Sequence, residues 1–131
     1  MNNSYNWYST LIKPSWSPPS WLFGPVWITL YAMMGISLYL VWQKGLENKE
    51  VKLAVYIFAG QLVLNALWSI IFFGAKELFY AFIEITILWL AIALTIMMFY
   101  KISKKAGLIL MPYLLWVSFA SILNFAVWTL N

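Results

Sequence analysis

The chain has 131 residues, of which 64% are hydrophobic and only 9% are charged, a balance typical of a membrane protein and far from that of soluble globular domains. It contains no cysteine and no histidine, which excludes disulfide scaffolds, thiol redox chemistry, imidazole bases and the commonest zinc ligands. The formal net charge of +4 comes from lysines scattered between apolar runs, so we expect no nucleic acid as a partner.

Residues 1–20 contain no apolar run of even ten residues, which argues against a transmembrane helix or a signal peptide there. We interpret them as a segment at the bilayer surface, followed by a helical bundle at 21–131. Proline fixes φ and lacks an N–H group, so this segment should be stiff, with tryptophan at headgroup level. A lid across one end of the bundle would consist of Pro14, Trp16, Pro18, Pro19 and Trp21. A plain interfacial anchor is the alternative.

Four later segments are apolar over the roughly 20 residues that a helix needs to cross the bilayer core. They cover residues 21–42, 53–74, 78–100 and 107–129. The polar connections between them are short, which predicts antiparallel helical hairpins. No sustained apolar and polar alternation supports strands or a β-barrel. The predicted fold is an all-α integral membrane protein, a compact bundle of four transmembrane helices.

Lysines are distributed unequally over the connections. The loops at 43–52 and 101–105 carry six of them, and the opposite side carries only Lys13 and Lys76. The positive-inside rule then places these two loops in the cytoplasm and both termini outside it.

Polar side chains inside the second and third spans need an explanation, because polar groups in hydrocarbon are costly. Gln61, Asn65 and Trp68 follow i, i+4, i+7 spacing and therefore share one helix face. Hydrogen bonds between helices are one interpretation of this face, and a binding site is the other. Glu84 lies roughly 10 Å deeper in the third span than Glu77, and an intramembrane carboxylate is a candidate functional group.

Aromatic and small residues alternate on the first and last spans. On the first span they are Gly24, Trp27, Tyr31 and Gly35, and on the last they are Trp116, Ala120 and Asn124. This pattern fits either close helix packing or a flat slot for a ligand. We find no nucleophile paired with a base, no phosphate-binding loop and no metal-ligand cluster in the sequence, so classical hydrolysis and phosphoryl transfer are not expected.

Three stretches carry a resemblance to a known family: WYSTLIKPSWSPPSWLFGPVWITLY at 7–31, GQLVLNALWSIIFFGAKE at 60–77 and PYLLWVSFASILNFAVW at 112–128. They resemble the tryptophan-rich sensory proteins, also called translocator proteins or peripheral-type benzodiazepine receptors. The resemblance implies a pocket beneath the proline- and tryptophan-rich lid that binds porphyrins, such as protoporphyrin IX or heme, and aromatic drugs. It also implies a homodimer in the membrane, in bacteria the inner membrane, with no required cofactor.

The resemblance assigns ligand-binding positions one residue at a time. They are Trp27, Tyr31, Asn65, Trp68, Tyr80, Glu84, Trp116, Ala120 and Leu123. Trp27 and Trp116 match tryptophans that some bacterial relatives need for light- and oxygen-dependent porphyrin breakdown. Tyr80 stands where a tryptophan is often found, and Glu84 where an aspartate is often found.

Two departures from the family pattern matter. Phe125 and Thr129 replace the tyrosine and the basic residue of the animal sterol segment, so we expect no specific cholesterol binding. Relatives usually have five helices, whereas this sequence begins at the loop after the first, as in a four-helix variant or a shortened form. We expect the uncovered flanks of the first two spans, with polar Gln61 and Asn65, to be covered by a second copy.

Three functions remain open from the sequence. The first is a sensory or translocator protein that binds a tetrapyrrole in a lidded pocket. The second is an enzyme that degrades porphyrin in light, with Trp27 and Trp116 as electron donors. The third is a small proton-coupled multidrug exporter, although the membrane carboxylate of such exporters normally lies in the first helix. We favour the binding protein over the enzyme.

Overall fold

The computed structural model describes Ile12, Pro14, Ser15 and residues 20–131. Of the expected lid, Pro14 is half-buried and Trp21 is exposed in a short 3₁₀ turn. The other expected lid residues, Trp16, Pro18 and Pro19, lie outside the described residues.

Five α-helices build the described part of the chain, which contains no strand. They are α1 (Phe23–Trp42), α2 (Lys49–Ser69), α3 (Leu78–Ile102), α4 (Lys104–Ile109) and α5 (Met111–Leu130). A π-helical turn at Ile70–Gly74 extends α2, and α4 and α5 together form the fourth span. Within the described residues, four spans are long and apolar enough to cross a membrane, which confirms the predicted all-α bundle.

Helix caps explain why two spans begin earlier than their apolar runs. Asn48 precedes α2, and its side-chain oxygen accepts a hydrogen bond from the Glu50 N–H at 2.9 Å. Ser103 caps α4 in the same way by accepting from the Ala106 N–H at 3.4 Å. Such caps satisfy donors that the first helical turn leaves open, so polar residues outside the hydrocarbon core join the helix.

Helix α3 occupies the middle of the bundle and packs against α2, α4 and α5, while α1 packs mainly against α4. The Ser37 hydroxyl of α1 donates to the Ala106 carbonyl at 2.7 Å in a fully buried contact. Large apolar side chains such as Ile28 and Leu90 point outward, as expected for a surface that faces lipid. The starts of α1 and α3 and the ends of α2 and α5 share one end of the bundle.

The close approach of α4 to α3 depends on Gly107. A Cβ atom at this position would lie 2.7 Å from the Cβ and 2.8 Å from the Cα of Tyr100. We expect Gly107→Ala to push the helices apart and to lower the free energy of unfolding by about 1–3 kcal/mol, the usual cost of overpacking. Gly60→Ala is the matched control, because a Cβ there meets no atom within 4 Å. Thermal unfolding in detergent measures both, and equal midpoints for the two variants would contradict this close packing.

Candidate ligand-binding site

Aromatic side chains of α1 and α5 meet at the end of the bundle where α1 begins. The rings of Trp27 and Trp116 lie 6.5 Å apart at 90°. Phe23 contacts Trp116 edge-on at 5.9 Å, and Tyr31 lies 5.8 Å from Trp27. The ring of Tyr113 approaches Trp27 at 6.4 Å and 72°. Three of these four contacts are edge-to-face, a favourable arrangement, and together they leave ring faces directed to several sides of one space.

Trp68 of α2 closes this space from another side. Its indole N–H donates to the Asn124 side-chain oxygen at 3.1 Å, and Asn124 donates to the Leu78 carbonyl at 2.9 Å. The π-helical turn that follows α2 brings Phe72 onto Trp68, with the two rings stacked at 5.1 Å. Asn124 therefore fixes the orientation of Trp68 and ties α2, α3 and α5 together.

A chain of hydrogen bonds continues from the aromatic rings into the bundle. The Tyr31 hydroxyl donates to the Asn65 side-chain oxygen at 2.8 Å, and the Asn65 amide donates to the Tyr113 hydroxyl at 2.7 Å. That hydroxyl in turn donates to the side-chain oxygen of Gln61 at 2.6 Å. The amides on α2 thus hydrogen-bond to side chains of α1 and α5, as expected if this face links helices. The same side chains also border the aromatic cluster.

Gln61 and Asn65 are only 1% and 2% exposed in the single chain. These two amides therefore do not need a second copy to cover them, and the expectation that a second copy covers the flanks of the first two spans stays a prediction. Tyr31 and Tyr113 cover the two amides, because both tyrosines reach across the bundle to hydrogen-bond with the amide groups.

Tyr113 belongs to the site but was not predicted from the sequence. It precedes Trp116 by three residues and Ala120 by seven, so it shares their helix face. The signal was present, but a tyrosine near a proline at the start of a span reads equally well as an interfacial anchor. Only the packing of α2 against α5 shows that the Tyr113 hydroxyl is buried and hydrogen-bonded to both Asn65 and Gln61.

The space between the aromatic side chains has a volume of only about 10 Å³. Its lining consists of Phe23, Trp27, Trp68, Phe72, Phe73, Trp116, Ala120, Leu123 and Asn124. Ligand pockets usually measure about 300–1,000 Å³, and this space holds at most about one water molecule. The structure therefore shows the cluster closed, and a flat ligand can enter only if the rings move apart.

The expected ligand positions fall into three groups. Those that line or border the closed space are Trp27, Tyr31, Asn65, Trp68, Trp116, Ala120 and Leu123. Tyr80 lies outside it, 60% exposed and against the ring of Phe79. Glu84 is 8% exposed on the inward face of α3 and is not among the residues that line the closed space.

Four buried polar atoms near this cluster have no hydrogen-bond partner in the part of the chain that the structure describes. They are the side-chain nitrogen of Gln61, both carboxyl oxygens of Glu84 and the indole nitrogen of Trp116. Most buried polar groups in proteins are paired, so these atoms mark places where a ligand or water could bond. Among the described residues no group of acidic side chains could hold a metal ion.

A larger groove of about 650 Å³ lies on the outer face between α3 and α5. It is lined by Phe82, Thr86, Trp89, Leu90, Ser118, Ser121, Ile122 and Phe125. Its polar atoms are already used, since the Trp89 indole donates to Ser118 and the hydroxyls of Thr86 and Ser121 donate to carbonyls of their own helices. This groove has room but no unpaired polar group, whereas the aromatic cluster has unpaired polar groups but little room.

Comparison with known proteins gives a consistent result along the whole chain. The sequence model of the TspO/MBR family matches residues 1–129. The tryptophan-rich protein TspO of Chlorobaculum tepidum is 50% identical over 125 residues, covering 95% of this chain and 79% of the relative. Its counterpart in Archaeoglobus fulgidus is 47% identical over 125 residues, with 95% and 80% covered. The human translocator protein is 43% identical over 127 residues, with 95% and 75% covered.

Proposed function

Because the chain belongs to the TspO/MBR family, we propose that it is a membrane protein with a sensory or translocator role that binds a tetrapyrrole, protoporphyrin IX or heme. The observation that carries the proposal is the convergence of Trp27, Trp68 and Trp116 from three spans on one closed space. Indole faces stack favourably on flat conjugated rings, and aromatic walls with few polar groups are typical of ligand sites. Other flat aromatic molecules would bind in the same place without a cofactor.

One contact before α1 is consistent with the proposed lid over this site. The Asn131 side chain accepts from the Ile12 N–H at 3.2 Å and donates to the Ile12 carbonyl at 2.8 Å. Asn131 directly follows α5, at the end of the bundle where the aromatic cluster lies. Two hydrogen bonds thus tie Ile12 to that end, and the proposal is that their release accompanies opening of the cluster.

The proposed orientation in the membrane follows from the lysines. Six exposed lysines lie in the connections and the adjoining helix ends opposite the aromatic cluster, and Lys76 lies at the cluster end. The six are Lys44, Lys49, Lys52, Lys101, Lys104 and Lys105. We propose that the cluster and both termini face away from the cytoplasm, in the cytoplasmic membrane if the host is a bacterium. The proposal includes lipid as the surrounding partner and, from the family resemblance, a homodimer.

Titration of the purified protein with protoporphyrin IX in lipid discs tests the proposal. We expect saturable quenching of tryptophan fluorescence and a shifted Soret band, with one porphyrin bound per chain. Empty discs titrated in parallel give the background from porphyrin dissolved in lipid. A signal that grows linearly with porphyrin and equals that of empty discs would contradict specific binding.

A second candidate, light-dependent breakdown of bound porphyrin, is favoured by one observation. The rings of Trp27 and Trp116 lie 6.5 Å apart, so a flat ligand between them would contact two oxidisable indoles. In such a reaction an indole gives one electron to the photo-excited porphyrin, and the porphyrin radical anion passes it to dioxygen as superoxide. Superoxide then adds to the porphyrin ring and the adduct returns one electron to the indole radical cation, so that the net change is insertion of dioxygen into the ring. Loss of the Soret band in light and air, but not in the dark or without oxygen, would distinguish this enzyme from a binding protein.

A further inference from the structure

Glu84 is a buried carboxyl group without a partner inside the bundle. It shares the inward face of α3 with Ala81, Ile85 and Leu88 and is 8% exposed. Neither of its oxygens has a hydrogen-bond partner among the described residues. An isolated carboxylate in a membrane interior costs several kcal/mol, so this group avoids that cost only when it is protonated or when a ligand pairs with its charge.

No lysine of the described part of the chain lies in the bundle interior beside Glu84. All seven of them are exposed and lie in the connections or at helix ends. Among the described residues, the carboxyl group of Glu84 therefore has no positive counterpart. A positive group that complements it would have to come from a ligand or from outside the described part of the chain.

The surroundings of Glu84 connect it to the aromatic cluster. The Leu78 carbonyl of α3 accepts from the Asn124 side chain at 2.9 Å, and the Trp89 indole of α3 donates to Ser118 at 2.7 Å. Glu84 lies between Leu78 and Trp89 on the inward face of α3, and therefore at the depth of the stretch of α5 between Ser118 and Asn124. This stretch of α5 lines part of the closed space, so Glu84 lies at the depth that a ligand between the rings would occupy.

The aromatic walls have the same electrostatic preference as the carboxylate. The ring of Trp27 stands at 90° to Trp116 and at 72° to Tyr113, so electron-rich faces are turned toward different sides of the space. Such faces attract cations, by about 2 kcal/mol or more when the contact is desolvated. The carboxylate and the aromatic rings therefore both favour a positive group, and no described side chain there opposes one.

We propose that Glu84 makes this pocket selective for flat aromatic ligands that carry a protonated amine. The amine would donate hydrogen bonds to the Glu84 carboxylate while the ring system stacks on Trp27 and Trp116. This inference rests on the proposed function only for the location of the pocket. Tetrapyrrole stacking needs the indole faces and not the carboxylate, so the two can be tested separately.

A pair of fluorescent probes that differ by one ammonium group tests the inference. They are 9-(aminomethyl)anthracene, which carries an ammonium group, and 9-methylanthracene, which does not. In discs of zwitterionic lipid, we expect the native protein to bind the ammonium probe at least about tenfold more tightly, since about 1.4 kcal/mol suffices for that ratio. Glu84→Gln, of nearly equal volume, should abolish the preference and change the affinity for the methyl probe less than about twofold.

Glu77→Gln is the control, because Glu77 is exposed at the same end of the bundle and reports charge attraction at the surface. The Glu77→Gln protein should keep the preference for the ammonium probe. Glu84→Asp retains the carboxylate and should keep the preference too, and it is the second variant to measure if Glu84→Gln proves unstable. Equal affinity of the native protein for both probes, or an unchanged preference in folded Glu84→Gln, would overturn the inference.

Protoporphyrin IX titrations of the same samples separate the two proposals. If the protein binds porphyrin but shows no preference for the ammonium probe, only the role of Glu84 is contradicted. If it shows a preference that depends on Glu84 but does not bind porphyrin, only the tetrapyrrole proposal is contradicted. Binding of neither ligand contradicts both.

Discussion

Replacing Ala120 by phenylalanine should weaken protoporphyrin IX binding by about 100-fold. Ala120 is 5% exposed and lines the 10 Å³ space between the tryptophans. A phenyl group there would occupy the volume that a ligand must enter when the rings part. Overpacking usually costs about 1–3 kcal/mol, and the upper part of that range corresponds to about 100-fold in affinity.

The control for this substitution is Ala66→Phe on α2. Ala66 is exposed toward lipid, so the same added ring should change neither porphyrin affinity nor stability appreciably. Both proteins are compared by porphyrin titration, with thermal unfolding used to confirm that each is folded. A folded Ala120→Phe protein that binds porphyrin like its parent would show that the ligand lies elsewhere.

Replacing Trp116 by phenylalanine should slow any light-dependent loss of bound porphyrin by about tenfold or more, while weakening binding only slightly. Phenylalanine keeps an apolar ring beside Phe23 and Trp27, whose contacts with Trp116 are 5.9 and 6.5 Å. A benzene ring, however, gives up an electron far less readily than an indole. A barrier higher by about 1.4 kcal/mol is enough for a tenfold slower rate.

The measurement is the decay of the Soret band under constant illumination at saturating porphyrin, so that differences in affinity do not enter. Trp42→Phe is the control, because Trp42 lies at the opposite end of α1 and is exposed. Equal decay rates in the Trp116→Phe protein, the Trp42→Phe protein and the parent would exclude an electron-donor role for Trp116.

The spans could be predicted from the sequence because a membrane helix needs a long apolar run, and such runs are visible without tertiary information. Their first turns could not be placed as well, since Asn48 and Ser103 extend the helices into polar sequence by capping them. The prediction for the fourth span also treated it as one helix. The chain turns at Leu110, just before Pro112, and separates α4 from α5, as proline in a helix favours.

The candidate site was predictable to the extent that spacing determines a shared helix face. Asn65 with Trp68, and Trp116 with Ala120, lie together as their spacing indicates. Two features depend on tertiary packing and could not be read from spacing: the outward position of Tyr80, at the first turn of α3, and the tight closure of the aromatic rings. Glu84 could be identified from the sequence as a candidate functional group, because a single carboxyl group within an apolar run is costly in a membrane.

The central claim, that a tetrapyrrole binds between α1, α2 and α5, is tested most directly by nuclear magnetic resonance of the tryptophan indole N–H groups. In protein labelled with nitrogen-15 at tryptophan, bound protoporphyrin IX should shift the signals of Trp27, Trp68 and Trp116 strongly through its ring current. Trp89 lines the outer groove, with its indole hydrogen-bonded to Ser118, and its signal should change little. A large shift of Trp89 with unchanged Trp27, Trp68 and Trp116 would place the porphyrin in the lipid-facing groove and contradict the account.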